Sequence, residues 1–311
     1  MVTIQTIEAI LTQLVLFYGF IVAGYLTAHL SGKGQIINKH LNALLIKILV
    51  PILIFYALLT STPASHVEVP IFLMITLAIH LIGPLLVYLR FRGVQLTNDT
   101  KGSLIICSTF NNALFVPLPL ALMFIGPSAV PFVVMFSLTQ MLLLATLGSV
   151  MGATFGGKET GWKKISRDAA TFPPFLAAIL SFLLIGLNIK LPVDLALLLS
   201  YNSPLTTYLA LVSVGLGIGV RFSLIDLRTA LNVVVIRQLI IPLLVLPVIF
   251  ISTLSPIAAQ VLLLESLMPP AILTVVYASG FSLDVEIAST TVTIGTLLLL
   301  PLIPILTLIL I

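Results

Sequence analysis

Ten apolar runs, most of them about 20 residues long, follow one another along this chain with only short polar or Gly/Pro-marked breaks between them. They lie at approximately 8–30, 37–61, 70–90, 101–125, 129–153, 172–189, 203–221, 229–252, 256–280 and 286–311. An apolar helix of this length crosses a hydrocarbon layer about 30 Å thick. In lipid every backbone N–H and C=O needs a partner within the protein, so only helices and closed barrels span, and runs this long select helices. The chain is therefore read as an all-α integral membrane protein of ten transmembrane helices. The stretch 190–202, with Pro192, Asp194 and Leu195 to Leu199, is read as a short interfacial helix.

Charge agrees with this reading. Only 8% of the residues are charged and 59% are hydrophobic, against about 25% charged in a soluble protein. That leaves too little charge to cover a water-facing surface, so the apolar atoms face lipid. No soluble domain of any size fits between the runs. The net charge of +4 points to topology rather than to a nucleic-acid partner. Lys33 and Lys39 fall in the first loop, Arg90, Arg92 and Lys101 in the third, Lys158, Lys163, Lys164 and Arg167 in the fifth, Arg221 and Arg228 in the seventh. That is eleven of the fourteen basic residues; the even loops hold only Lys190, and Lys47 and Arg237 lie within spans. The positive-inside rule then puts the odd loops in the cytoplasm and both termini outside the cytoplasmic (plasma) membrane. Residues Met1 to Glu8 carry no Lys or Arg, which argues against a removable signal peptide. The single cysteine, Cys107, allows no intrachain disulfide.

The longest loop follows the fifth span. It divides the chain into a first five-helix repeat at 1–155, a cytoplasmic linker at 156–171 and a second five-helix repeat at 172–311. Five is odd, so a duplicated half enters the membrane inverted. A shift of 154 residues lays Gly126 on Gly280 and sets Asn111 and Asn112 opposite Glu265 and Ser266. Prolines follow both polar pairs: Pro117 and Pro119 in the fourth span, Pro269 and Pro270 in the ninth. Proline removes a backbone donor and clashes with the preceding turn, and a broken helix persists at membrane depth only where it is buried or lines a cavity. Both polar pairs fall about nine or ten residues into their spans, roughly 14–15 Å deep and so near the midplane. Two broken helices meeting there expose free carbonyls, helix-end dipoles, two amides and a carboxylate.

A carboxylate at that depth costs about 2.5–3.5 kcal/mol on insertion scales, which marks Glu265 as a site residue and a place for a coupling sodium ion or proton. Asn111 and Asn112 serve either as interhelical hydrogen-bond glue or as solute ligands, Asn112 also as a cation ligand. Lys47 and Arg237 either snorkel to the cytoplasmic interface, or pair with Glu265, or attract an anionic solute. His80 is a packing residue or a proton relay, and Pro51 a tolerated kink or a hinge at the cavity. Asp284 and Glu286 read as solvated residues at the cytoplasmic surface, with a gate contact as the alternative. There is no P-loop for ATP, no His/Cys pair at metal-ligand spacing and no nucleophile–base–acid set.

Four stretches resemble the auxin efflux carrier family, which includes the plant PIN-type carriers: LVPILIF at 49–55, TFNNALFVPLPLAL at 109–122, ESLMPPA at 265–271, and the tail from Tyr277 through Asp284, Ala288 and Thr296 to Pro301. The resemblance implies the fold shared with bile acid:sodium symporters. In it spans one, two, six and seven form a scaffold, spans three to five and eight to ten a mobile transport bundle, and spans four and nine cross as broken helices. It makes Asn112 a solute-side residue, Pro269 a crossover proline and Glu265 a carboxylate that helps hold sodium, and it implies a homodimer with elevator-like motion. Where the family commonly reads Asn-Thr-Gly, this chain has Asn112, Ala113 and Leu114, and Pro117 stands where a glycine often precedes Leu-Pro-Leu.

The expected activity is alternating-access transport of a small organic, carboxylate-bearing solute, with Asn111, Asn112, Glu265, Ser266 and Lys47 around it. An ion channel or ion-conducting sensor is the alternative, with an intramembrane enzyme behind it for want of a catalytic pair.

Overall fold

The computed structural model describes residues 4–60, 68–156, 171–218 and 227–310. The described chain is helical throughout, with one isolated two-residue bridge of β type. The helices are α1 (Ile4–Ser31), α2 (Gly34–Thr60), α3 (Glu68–Phe91), α4 (Asn98–Thr109), α5 (Pro117–Leu120, running on into the turn Ala121–Ile125) and α6 (Pro127–Gly156). After them come α7 (Pro173–Gly186), α8 (Val193–Gly217), α9 (Leu227–Ile251), α10 (Pro256–Ser266), α11 (Ile272–Phe281) and α12 (Val285–Thr307). Among the described residues seven of these, α1, α2, α3, α6, α8, α9 and α12, are long and apolar enough to cross a membrane. Three shorter apolar helices, α7, α10 and α11, accompany them. The central linker, with Lys158, Lys163, Lys164 and Arg167, lies outside the described residues between 157 and 170, as does Arg221.

The surface is what lipid requires. Val193 is 84% exposed and Phe250 79%, a cost that no water-facing monomer spreads over so many positions. Inside, Phe17, Phe72, Phe110 and Phe136 are fully buried in one continuous apolar core.

The fourth and ninth apolar runs are the interrupted ones. The fourth divides into α4 and α5 around residues 110–116, and the ninth into α10 and α11 around 267–271. Pro117 and Pro119 do not themselves break the helix. Pro117 opens α5 at its first position, where a missing N–H costs nothing. Pro51 leaves α2 unbroken: a single π turn, Leu45–Leu49, precedes it, and the Leu49 carbonyl accepts a 2.8 Å bond from Asn202 Nδ2. The same device recurs in α9, where the π turn Ile236–Ile240 precedes Pro242. The stretch at 190–202 does hold a helix, Val193–Ser200, which runs on through Tyr201 as the first part of α8.

Gly34 and Val193, which open α2 and α8, are 159 residues apart. The bridged pair, Asn111 and Pro270, has the same separation of 159. In the ladder Asn111 stands opposite Pro270, while its side chain reaches Glu265. The packing pairs are crossed in the same sense, α1 lying along α8 and α7 along α2.

Candidate functional site

At the two breaks the chain loses its own helical acceptors, and each break supplies those of the other. Asn112 N–H donates to Pro269 O at 2.8 Å and Ala271 N–H to Phe110 O at 2.9 Å, closing an antiparallel bridge between Asn111 and Pro270. Buried backbone groups have to be paired, so this exchange is what makes two broken helices tolerable at this depth. The outer edge of the Asn111 strand residue is met by a side chain. Asn111 N–H donates to Gln140 Oε1 at 3.0 Å, and Gln140 Nε2 donates to Asn111 O at 2.7 Å. Gln140, from α6, thus acts as a third strand one amide wide. Sequence reasoning missed it; the available signal was the only amide in the run 129–153.

The Asn111 side chain turns to the other half. Its Nδ2 donates to Glu265 O at 2.9 Å and to Glu265 Oε2 at 3.1 Å. Asn111 and Glu265 are both fully buried. Asn112 uses Oδ1 to accept the Phe115 N–H at 3.1 Å, tying the break to the approach of α5. His80 is fully buried, its ring nitrogens 2.7 Å from Thr76 O and 2.9 Å from Gln140 Oε1. Gln238 Nε2 donates to Leu267 O at 3.3 Å in the second break.

In front of the bridge lies a cavity of about 420 Å³. Its polar floor is Asn111, Asn112, Ser137 and Gln140, and its walls are apolar side chains such as Phe115, Leu144 and Tyr277. Ala271, Ile272 and Leu273 also line it, so the first turn of α11, which no side chain caps, faces the cavity with N–H groups that have no intrahelical acceptor.

The structure brings together only part of the expected site. Asn111 and Asn112 line the cavity, while Glu265 lies behind the bridge, outside the lining. Ser266 is buried but spends its hydroxyl on Leu263 O of its own helix, at 2.7 Å. Lys47 is exposed on α2 and is not part of the cavity lining. Arg237 does the reverse: it is fully buried and does not snorkel to an interface. Pro51 is half-buried and away from the cavity; Pro117, Pro119, Pro269 and Pro270 are all buried around the breaks. Asp284 is more than a solvated residue. It caps α12 by accepting the Ile287 N–H at 3.1 Å, and it accepts a 2.9 Å bond from Thr100 Oγ1. Glu286 is exposed.

A family model described as membrane transport protein matches residues 9–307. The chain is also similar to an uncharacterized transporter of Methanothermobacter thermautotrophicus, 27% identical over 310 residues that cover 98% of each chain. A second relative, an uncharacterized transporter of Methanocaldococcus jannaschii, is 27% identical over 266 residues, 83% of this chain and 85% of that one.

Proposed function

The chain belongs to the membrane transport protein family, and from that premise we propose that it is a secondary transporter moving a small, carboxylate-bearing organic solute by alternating access. The observation that carries the proposal is the pair of interrupted helices bridged at Asn111 and Pro270 on the floor of a cavity. Discontinuous helices at mid-membrane are the usual place for a transported solute, because half-helix N-termini attract anionic groups there. The N-terminus of α11 and the amide of Asn112 supply donors for a carboxylate, and the apolar walls suit a hydrophobic body attached to it.

The architecture we propose is ten spans in two inverted repeats. The offset of 159 residues between Gly34 and Val193 and between Asn111 and Pro270 supports it. So does the crossed packing of α1 with α8 and α7 with α2, which an exchange of repeats leaves unchanged. Spans one, two, six and seven are then the scaffold, and the remainder a bundle that slides as an elevator. The cavity lies between these bodies, with Ile46 and Phe172 on the scaffold side. Its lining lies toward the ends of α6 and α11 that lead into odd-numbered loops, so with both termini outside the plasma membrane this is the inward-open state. The carriers named above make a homodimer our working assembly.

The test is uptake into proteoliposomes of a panel of indole acids, dicarboxylates and amino acids under imposed ion gradients and potentials. Solute-specific, saturable uptake is expected, lowered about tenfold or more by Asn112→Ala, the loss of roughly one hydrogen bond to a charged group. No uptake of any acid under any gradient, or uptake indifferent to Asn112→Ala, would overturn the proposal. Conductance far above carrier turnover would place the protein among channels instead.

A further inference from the structure

Where α3 turns into α4 lies another cavity, of about 260 Å³, apart from the one at the bridge. Two cations line it: Arg92, just past the end of α3, and Lys101, in the first turn of α4. Arg92 is exposed and Lys101 half-buried. Among the described residues neither side chain has an acidic or hydrogen-bonding partner, and no acid lines the cavity. Asp284 does reach the first turn of α4, but through Thr100, which is not in the lining. Its carboxylate accepts from Thr100 Oγ1 at 2.9 Å and from the Ile287 N–H at 3.1 Å.

Both helices place their cation at the loop end and their apolar lining about one turn deeper. On α3, Val87 and Tyr88 come about one turn before Arg92; on α4, Leu104 and Ile105 come about one turn after Lys101. Val87 and Leu104 form a buried base, whereas Tyr88 is 61% exposed, as an aromatic anchor at headgroup level is. Phe155, from the end of α6, completes the wall.

An anionic phospholipid follows the same order along the membrane normal: charged headgroup, then glycerol, then chain. A soluble anion would match the cations alone, and a neutral lipid the apolar base alone. Arginine and lysine reach a headgroup while their stems lie along apolar surface, and basic pockets between spanning helices are where anionic headgroups lodge.

We propose that this cavity binds an anionic phospholipid, with Arg92 and Lys101 on the headgroup phosphate and the start of one chain against Val87, Leu104 and Ile105. The proposed topology puts the site in the cytoplasmic leaflet. Binding itself depends neither on that assignment nor on transport.

The test is thermal unfolding of the purified protein in detergent micelles containing phosphatidylglycerol or, in equal amount, phosphatidylcholine. Phosphatidylglycerol is expected to raise the unfolding temperature by about 3 °C or more above phosphatidylcholine. Arg92→Gln with Lys101→Gln should abolish that difference and keep the response to phosphatidylcholine. Lys33→Gln with Lys39→Gln removes the same charge from exposed positions elsewhere and should preserve the difference. Arg92→Lys with Lys101→Arg should retain most of it. If the Arg92 and Lys101 double change does not fold, each single change to Gln should still reduce the difference by about half. A wild type without preference for phosphatidylglycerol would overturn the proposal. So would an equal loss in both double Gln variants, which would reduce the effect to net surface charge. A shift as large with inorganic phosphate at the same ionic strength would assign the cavity to a soluble anion instead, and would overturn it too. Absence of uptake in proteoliposomes would count against the proposed function and leave this site untouched.

Discussion

Gln140 is the residue on which the geometry of the crossing most depends. It meets both backbone groups of Asn111 and one ring nitrogen of His80. Gln140→Leu keeps the volume but orphans two buried backbone groups, each costing about 1–3 kcal/mol. The expected loss is therefore about 2–6 kcal/mol, read as a lower unfolding temperature of the purified protein. Gln140→Glu keeps the shape but sets a buried carboxyl against Asn111 O, and should cost at least as much. An unfolding temperature unchanged by Gln140→Leu would mean that the strand edge is satisfied some other way. Glu265 and the Asn111–Asn112 pair were legible in the sequence because polar groups at membrane depth are expensive and stand out. Gln140 was not, since a single amide in a long apolar run is also what ordinary interhelical glue looks like. Lys47 and Arg237 show the opposite limit. Both sit in runs that are apolar all round, where no periodic pattern says which face turns inward, and only packing separates the exposed lysine from the buried arginine.

At the level of elements, helix pairs here approach through glycine. A Cβ on Gly24 would collide with the Val212 carbonyl, and one on Gly215 with the Ile21 carbonyl, so α1 and α8 meet backbone to backbone on both sides of one contact. In lipid, where apolar burial between helices gains little, such close packing supplies much of the association energy. Gly215→Leu should push the pair apart at a cost of about 1–3 kcal/mol or more. Gly19→Leu, on the same helix α1 with open space around it, should be neutral. Equal unfolding temperatures for the two variants would deny that the glycine contact matters. Element lengths and the two interruptions could be read from apolar runs and prolines, because hydrocarbon thickness sets the first and backbone satisfaction the second. The pairing within the crossing could not: that Asn111 meets Pro270 in the bridge is something no residue identity records.

For the whole molecule the proposed inward-open state has a direct readout, since the only cysteine, Cys107, is fully buried and leaves a silent background. Ala145→Cys, on the cavity wall, should react with a membrane-impermeant maleimide from the cytoplasmic face, and a transported solute should slow the reaction. Thr253→Cys, exposed in the turn between α9 and α10, should react from the outer face only. Ala145→Cys reacting solely from outside would reverse the assigned state.

The bridge between residues 110–112 and 269–271 also constrains how the protein is made. While the ribosome has delivered only the first half, the Asn112 N–H and the Phe110 carbonyl sit in the bilayer with their eventual partners still untranslated. The first half therefore has to wait, its break hydrated or shielded by the insertion machinery, until the second arrives. Neither half is a self-sufficient product, and a chain cut in the central linker should accumulate only when both pieces are synthesised in the same cell.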